Sequence, residues 1–268
     1  MCEFCISHGD GEKWYLNAAN YAEALLRDVR REKYIEDFMP SIMAKGGRWL
    51  KIIDRGRCFV PSLTDRILQR KSEEMKQVHY GQVIPLEDVG AVMEIVGQVV
   101  RLPCVCRQTM HNLEEPACYL LTASPDALGF KEILGRRQET LPFIGAMENV
   151  SPATALAEME RLEDRGMIHT VWTFITPFIG AICNCDQSGC LGMHYTSRGM
   201  RLFFPGEEMI RVEHEACSAC GSCVEICPFH ALSFGSIGSI HVDGEKCHGC
   251  GICRRACPSE ALALATRR

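Results

Sequence analysis

Residues 217–228 read CSACGSCVEICP, and residues 247–258 read CHGCGICRRACP. Both runs have the spacing C-x2-C-x2-C-x3-C-P, and the second begins thirty residues after the first. Three thiolates spaced this closely converge on one compact metal site, while the fourth reaches a neighbouring site. The doubled run is therefore typical of two 4Fe-4S clusters and indicates redox chemistry.

The crossed arrangement gives each cluster three cysteines from one run and the last cysteine of the other run. The predicted ligands are Cys217, Cys220, Cys223 and Cys257 for the first cluster, and Cys247, Cys250, Cys253 and Cys227 for the second. A structural zinc site is the alternative, but such sites usually show two C-x2-C pairs. The spacing favours iron and sulfide over zinc.

With this doubled run, residues 207–268 resemble the bacterial two-cluster ferredoxins. The resemblance implies a small pseudo-twofold domain in which two short hairpins and two short helices enclose the clusters. Residues 1–206 are enough for a second domain with its own core. We therefore predict an α+β chain, in which a cysteine-rich domain of mixed helices and short strands precedes a ferredoxin-like domain.

Composition and charge narrow the class of protein. The 268 residues carry a formal net charge of -5, and no run of 18 uninterrupted apolar residues or signal-peptide pattern occurs. We expect no membrane insertion and a cytoplasmic location, where 17 cysteines favour metal sites over disulfides. The acidic balance disfavours nucleic acid and favours redox partner proteins with a basic docking face.

Residues 151–166 contain the best-marked helix of the larger domain. Ser151 is a suitable N-cap, Pro152 suits the first helical position, and Gly166 follows the expected end. Two strand-like runs follow, at residues 167–174 and 178–183. A helix before a hairpin could form a DNA-binding winged helix, but acidic residues outnumber basic ones on this helix, which disfavours phosphate binding. An earlier helix is expected over residues 17–38, ending before Pro40.

Nine further cysteines lie before residue 207, and all but Cys58 fall into three groups. The groups are Cys2 and Cys5; Cys104, Cys106 and Cys118; and Cys183, Cys185 and Cys190. Two of them contain a C-x-C pair with a third cysteine close behind. Buried thiols that merely pack in a core do not usually show such spacing.

Several assignments of these cysteines remain open. The eight grouped cysteines would serve two more 4Fe-4S clusters, giving four in the chain. Alternatively, the six cysteines of the C-x-C groups hold one cluster with two thiols spare, while Cys2, Cys5 and His8 help form a zinc site. Zinc alone, without any N-terminal cluster, is a third possibility, and some of the thiols could also be plain core residues. Of the neighbouring polar residues, Arg107 could hydrogen-bond a cluster or a carboxylate but is expected to be solvated, and His169 and His194 are expected to be packed or hydrogen-bonded.

Residues 85–268 resemble ferredoxin-domain proteins of anaerobic microbes, through PCVCR at 103–107, GMIHTVW at 166–172 and CNC at 183–185. The resemblance implies additional metal ligands and anaerobic redox work without naming a substrate. No dinucleotide-binding or P-loop motif is present. We therefore predict an electron-transfer protein or non-catalytic subunit that relays single electrons between redox partners. The alternative is an iron-sulfur enzyme or reductive activator whose N-terminal cluster binds substrate.

Overall fold

The computed structural model of the chain describes residues 2–124, 128–235 and 238–267. Its α-helices are α1 (Glu3–His8), α2 (Glu23–Leu26), α3 (Val29–Phe59), α4 (Pro61–Lys76), α5 (Leu86–Ile95), α6 (Val105–His111), α7 (Leu128–Gly135), α8 (Pro152–Asp164), α9 (Leu191–Ser197), α10 (Ser222–Ile226) and α11 (Ile252–Arg255). Its strands are β1 (Gly81–Ile84), β2 (Gln98–Pro103), β3 (Pro116–Thr122), β4 (Glu148–Val150), β5 (Ile168–Thr173), β6 (Ile179–Cys185), β7 (Phe203–Phe204), β8 (Glu208–Val212), β9 (Leu232–Phe234), β10 (Ile240–Val242) and β11 (Leu262–Thr266). Short 3-10 helices occupy Trp14–Leu16, Ala18–Tyr21, Gln138–Thr140 and Pro142–Ala146.

A seven-stranded sheet in the order β4-β2-β3-β6-β5-β1-β7 forms the centre of the larger domain. Its strand pairs are antiparallel except for β1 and β7, which run parallel. Helix α8 packs on β2, β3, β5 and β6, and α3 packs against α6, α7 and α9. Separate two-stranded sheets, β8 with β11 and β9 with β10, form the C-terminal part. The predicted α+β class is confirmed.

Helix α8 and the hairpin after it form where the sequence predicts them. The Ser151 hydroxyl accepts a hydrogen bond from the Thr154 amide at 3.0 Å, so it caps the helix. Met159 and Leu162 are buried, which places the apolar stripe of the helix on the sheet. Strands β5 and β6 follow as an antiparallel pair, and every residue of β5 is buried.

The expectation of a helix over residues 17–38 that ends before Pro40 is wrong. A 3-10 turn and α2 come first, and α3 then runs from Val29 to Phe59 with Pro40 inside it. An interior proline usually costs a helix about 3 kcal/mol. Tertiary packing offsets that cost here, because a buried stripe from Ile35 to Ile53 continues past the proline.

The C-terminal part has its own small core. Ile210, Leu232, Ile240 and Leu262 bury their side chains there, together with several cysteines. Cys250 and Ile252 instead pack into the large core of the preceding domain. The two parts are therefore in direct apolar contact. Within the described residues, no helix is long and apolar enough to cross a membrane.

Candidate functional site

Six cysteines from the larger domain meet beside the central sheet. Cys118 lies on β3, opposite Cys183 on the neighbouring β6, and Cys185 ends β6. Cys104 precedes α6 and Cys106 lies in its first turn, while Cys190 immediately precedes α9. We call this group the six-thiol cluster: Cys104, Cys106, Cys118, Cys183, Cys185 and Cys190. Pairing of β3 with β6 brings the two C-x-C groups together, although they are far apart in sequence.

The thiols of the six-thiol cluster touch one another in series. Cys183 Sγ lies 3.5 Å from Cys118 Sγ, and the contacts continue from Cys118 to Cys104 and Cys106, then to Cys190 and Cys185. The thiols surround a cavity of about 30 Å³. Hydrogen bonds from Cys106 and Cys118 hold the pKa of Cys104 well below its ordinary value, with a smaller contribution from Arg107. Cys104 is therefore the thiol of this cluster that favours the thiolate form, which binds metal, whereas the pKa values of Cys106, Cys118, Cys185 and Cys190 are raised.

An ion pair between a buried arginine and a partly exposed aspartate holds the two cysteine loops together. Arg107 Nη2 lies 2.6 Å from Asp186 Oδ2, so the residue after Cys106 is tied to the residue after Cys185. Burial disfavours the charged form of Asp186, but hydrogen bonds from the Ser188 hydroxyl, the Gly189 amide and Arg107 together lower its pKa to about 2. Arg107 is only 3 % exposed, so the expectation of a solvated arginine is wrong.

The distances in the six-thiol cluster do not fit a single tetrahedral metal ion. Tetrahedral zinc with Zn–S bonds of about 2.3 Å needs its sulfurs about 3.8 Å apart, all mutually. Among the described residues, no three of the six thiols place their sulfurs within 4.8 Å of one another. The same is true of the eight cysteines in the C-terminal runs. Neither set is therefore arranged around a single tetrahedral zinc ion.

The C-terminal runs have closely similar local structure. Gly221 and Gly251 precede α10 and α11 with φ of 85° and 79°, a left-handed conformation that favours glycine. The amide of Ala231 donates to Cys227 Sγ at 3.3 Å, and the amide of Ala261 donates to Cys257 Sγ at the same distance. Amide hydrogen bonds of this kind stabilise thiolates and tune a cluster bound to them.

The fourth cysteine of each run lies close to cysteines of the other run. Cys257 is close enough to Cys223 to raise its pKa, although burial is the larger cause. Cys227 does the same to Cys250 and Cys253, again after burial. Each group therefore contains four thiols, and the residues present fit one cluster each.

The two groups differ in exposure. The group with Cys227 is buried, and its members Cys247, Cys250 and Cys253 are each less than 9 % exposed. Cys220 in the other group is exposed. One C-terminal group therefore opens to solvent, and the other faces the larger domain.

The C-terminal part contacts the six-thiol cluster through one short connection. The side-chain amide of Gln187 donates a hydrogen bond to the carbonyl oxygen of Pro228. Gln187 lies between Cys185 and Cys190, and Pro228 directly follows Cys227. Pro228, one hydrogen bond, Gln187 and Asp186 thus connect Cys227 with Cys185.

Ion pairs fix the same interface on another side. Arg255 Nε lies 2.6 Å from Glu163 Oε2 on α8, and Arg254 Nη2 lies 2.6 Å from Glu87 Oε1 on α5. Glu163 is only 4 % exposed, and its burial raises its pKa despite the arginine. The docking of α11 on α5 and α8 therefore includes one partly buried charge pair.

Cys2 and Cys5 lie apart from the six-thiol cluster. Their sulfurs are 3.6 Å apart, and the carboxylate of Glu207 completes a group of three possible ligands that does not contain His8. His169 and His194, which the sequence places near the CNC segment, are both hydrogen-bonded: His169 to Asn184 at 2.8 Å, and His194 to the Ser188 carbonyl at 3.0 Å. Cys58 is exposed.

A second cavity of about 90 Å³ adjoins the six-thiol cluster. Cys106, Cys118 and Cys183 line one side of it. The remaining lining residues are mostly apolar or aromatic: Phe38, Met39, Ile42, His79, Val105, Leu120, Trp172, Phe174, Ala181, Leu191, Gly192, Tyr195 and Leu202. His79 contributes an imidazole whose Nδ1 lies 2.5 Å from the Thr173 carbonyl. With Nδ1 engaged, Nε2 is the ring nitrogen left for a molecule in the cavity.

Three features of these sites were not predicted from the sequence. Glu207 follows a Pro-Gly turn and carries no periodic signal that would pair it with Cys2. His79 has no local motif either. Asp186 did carry a signal, since Asp-x-Ser-Gly is typical of a turn closed by the aspartate side chain.

Residues 216–261 match the family of 4Fe-4S dicluster domains. The match covers less than a fifth of the chain, and no curated protein matches the chain. It includes all eight cysteines of the doubled run, and it agrees with the local geometry described above. The C-terminal part of this protein is a ferredoxin-like 4Fe-4S dicluster domain.

Proposed function

We propose that the protein transfers single electrons between a redox partner at its C-terminal domain and a metal centre in the six-thiol cluster. The observation that carries the proposal is the connection from Cys227 through Pro228 and Gln187 to the loop between Cys185 and Cys190. It links the buried face of the dicluster domain to the only other large group of thiols in the described residues. Iron-sulfur clusters bound there would supply one-electron redox chemistry.

The proposed ligands follow the crossed pairing of the doubled run. The solvent-facing group is Cys217, Cys220, Cys223 and Cys257, and the inward-facing group is Cys227, Cys247, Cys250 and Cys253. We place them in a domain of residues 207–268, after a cysteine-rich domain of residues 1–206. Four of the six clustered thiols would bind one further 4Fe-4S cluster, and two would be spare.

Metal analysis of anaerobically purified protein tests the N-terminal centre. About twelve irons per chain are expected, eight in the dicluster domain and four in the six-thiol cluster. Cys104→Ser should lower the count by about four, whereas Cys58→Ser, which removes an exposed thiol, should leave it unchanged. An iron count near eight in the wild-type protein would contradict an N-terminal cluster.

A partner with a basic docking face is proposed for the exposed end. Glu213, Glu215 and Glu225 are exposed near Cys220 in sequence, so this surface is acidic. Acidic and basic surfaces attract one another, and dissolved salt screens this attraction.

We further propose that the protein works in the reducing cytoplasm of an anaerobe, without nucleic acid or membrane insertion.

A basic c-type cytochrome serves as a probe of this surface. Its reduction by the dithionite-reduced protein should slow as salt rises, and the double variant Glu213→Gln/Glu215→Gln should be slower at low salt. Glu139→Gln removes an exposed charge on a 3-10 helix of the larger domain and is the matched control. Equal rates for all three proteins at low salt would count against this docking face.

The second cavity supports another function for the same centre. Its apolar lining beside Cys106, Cys118 and Cys183 resembles a small-molecule site, with His79 as a polar group that could orient a ligand. An enzyme or reductive activator would bind a small uncharged substrate there.

Carbon monoxide is a suitable probe of that second function. It should change the EPR spectrum of the N-terminal centre in the wild-type protein but not in Ala181→Leu, which fills the cavity. The Ala181→Leu variant must keep its iron content for the comparison to hold. An unchanged wild-type spectrum would leave electron transfer alone as the function.

A further inference from the structure

Cys2, Cys5 and Glu207 form a group unlike any other in the described residues. It is the one set of cysteine, histidine or acidic side chains there whose three ligand atoms all lie within 4.8 Å of one another. Cys5 is fully buried, whereas Cys2 and Glu207 are partly exposed. None of the six clustered thiols belongs to the group. It is therefore a separate site, and it does not depend on the electron-transfer proposal.

The spacing of these atoms fits one tetrahedral metal ion. The sulfurs of Cys2 and Cys5 are 3.6 Å apart, close to the edge of about 3.8 Å expected for Zn–S bonds of about 2.3 Å. A carboxylate oxygen is an ordinary third ligand for zinc. Two thiolates and one carboxylate also suit zinc better than magnesium or calcium, which prefer oxygen ligands alone.

The side chain of Gln82 has a fixed orientation beside these ligands. The indole N–H of Trp14 donates to Gln82 Oε1, so the amide nitrogen points the other way. That nitrogen lies 3.0 Å from the Pro205 carbonyl oxygen, 3.1 Å from Glu207 Oε1 and 3.7 Å from Cys2 Sγ. Gln82 therefore shares its two N–H donors among the Pro205 carbonyl and two of the ligands, and it is not itself a ligand. Such outer hydrogen bonds orient ligands and strengthen metal binding.

We propose that Cys2, Cys5 and Glu207 bind one zinc ion, with water as the fourth ligand. The protein supplies three ligands, and the partial exposure of Cys2 and Glu207 gives solvent access to the remaining position. The ion joins the first residues of the chain to the segment that enters the dicluster domain. Zinc at this point fastens α1 to the junction between the two domains.

Zinc content and zinc X-ray absorption test the site independently of iron. Wild-type protein, dialysed against a mild chelator, should retain about one zinc per chain with two sulfur neighbours at about 2.3 Å. Cys2→Ser, Cys5→Ser and Glu207→Gln should each lose zinc in the same dialysis while keeping their iron. Gln82→Leu should keep the site but bind zinc about 10- to 100-fold more weakly.

Matched controls separate this site from its surroundings. Glu208→Gln removes the adjacent carboxylate, which pairs with Lys13, and should keep its zinc. His8→Ala should also keep it, because His8 is outside the group. Iron rather than zinc at the site, a Cys2–Cys5 disulfide in anaerobically purified protein, or zinc retained by Glu207→Gln would each overturn the proposal.

Discussion

At the scale of single residues, Arg107 and Asp186 support the geometry of the six-thiol cluster. Asp186→Ala would leave Arg107 buried without its close partner, since the next carboxylate, of Glu115, is 4.0 Å away. We expect a loss of about 3 kcal/mol in the free energy of unfolding, together with loss of the iron that we propose for the six-thiol cluster. Urea denaturation and iron analysis measure the two effects.

An exposed ion pair provides the control for that variant. Arg198 pairs with Asp54 at 2.7 Å, and the Asp54 side chain is half exposed. Asp54→Ala should change stability by less than about 1 kcal/mol and leave the iron content unchanged. Equal effects of the two variants would show that the Arg107 pair has no special role.

His79 should make the protein less stable in mild acid. Burial lowers its pKa to about 4, although its hydrogen bond to Thr173 acts in the opposite direction. An unfolded histidine has a pKa near 6.5, so between these values the unfolded chain binds the proton more readily. The contribution of neutral His79 to the free energy of unfolding is therefore fully present above about pH 6.5. It is lost as the pH falls towards 4.

The variant His79→Phe should weaken that pH dependence. Between pH 7 and pH 5 the wild-type protein should lose about 2 kcal/mol more stability than the variant. Urea denaturation at both pH values measures the difference. His241→Gln removes an exposed histidine and should behave as the wild type. A variant as acid-sensitive as the wild type would mean that His79 is not the cause.

At the scale of elements, α3 contacts α9 at Gly46. The Gly46 carbonyl accepts a hydrogen bond from the Tyr195 hydroxyl at 2.9 Å, and a Cβ on Gly46 would lie 2.9 Å from a Leu191 methyl. Leu191 follows Cys190 directly. A side chain at position 46 would therefore push on the end of the six-thiol cluster.

Gly46 and Gly47 provide a matched pair within one helix. A Cβ on Gly47 would meet no atom within 4 Å, so Gly47→Ala should stabilise the protein by about 1 kcal/mol through helix propensity. Gly46→Ala should show none of that gain, because Leu191 must move. Thermal unfolding of both variants measures the difference, and equal gains would contradict the close approach.

The comparison of α3 with the doubled run shows what local sequence can predict. The run from Cys217 to Pro228 places its ligands within eleven residues, so spacing alone indicates the site. The extent of α3 is decided by contacts with α6, α7 and α9, which outweigh the local effect of Pro40. Grouping of Cys104 with Cys185 likewise depends on the order of β2, β3 and β6, which no local pattern contains.

At the scale of the whole molecule, Arg255 should matter more than Arg254 for joining the two domains. Arg255→Ala would leave the buried carboxylate of Glu163 unpaired, at a cost of about 3 kcal/mol. Arg254→Ala removes an ion pair with Glu87, whose side chain is more than half exposed, and should cost less than about 1 kcal/mol.

Calorimetry of the two arginine variants gives the measurement. Arg255→Ala should lower the unfolding temperature and separate the unfolding of the dicluster domain from that of the larger domain. Arg254→Ala should unfold as the wild type does. A single unshifted transition in Arg255→Ala would mean that apolar contacts of Ile252 suffice to dock the domains.

The series of thiol contacts from Cys183 round to Cys185 also has a consequence for biosynthesis. Its six cysteines are spread over 87 residues of the chain. They therefore come together only after β3 has paired with β6. Each dicluster run, in contrast, has its first three thiols within seven residues. It can therefore bind iron before the central sheet has formed. We therefore expect the dicluster domain to be loaded before the six-thiol cluster, and a chain starved of iron should accumulate partly loaded, with its C-terminal clusters filled first.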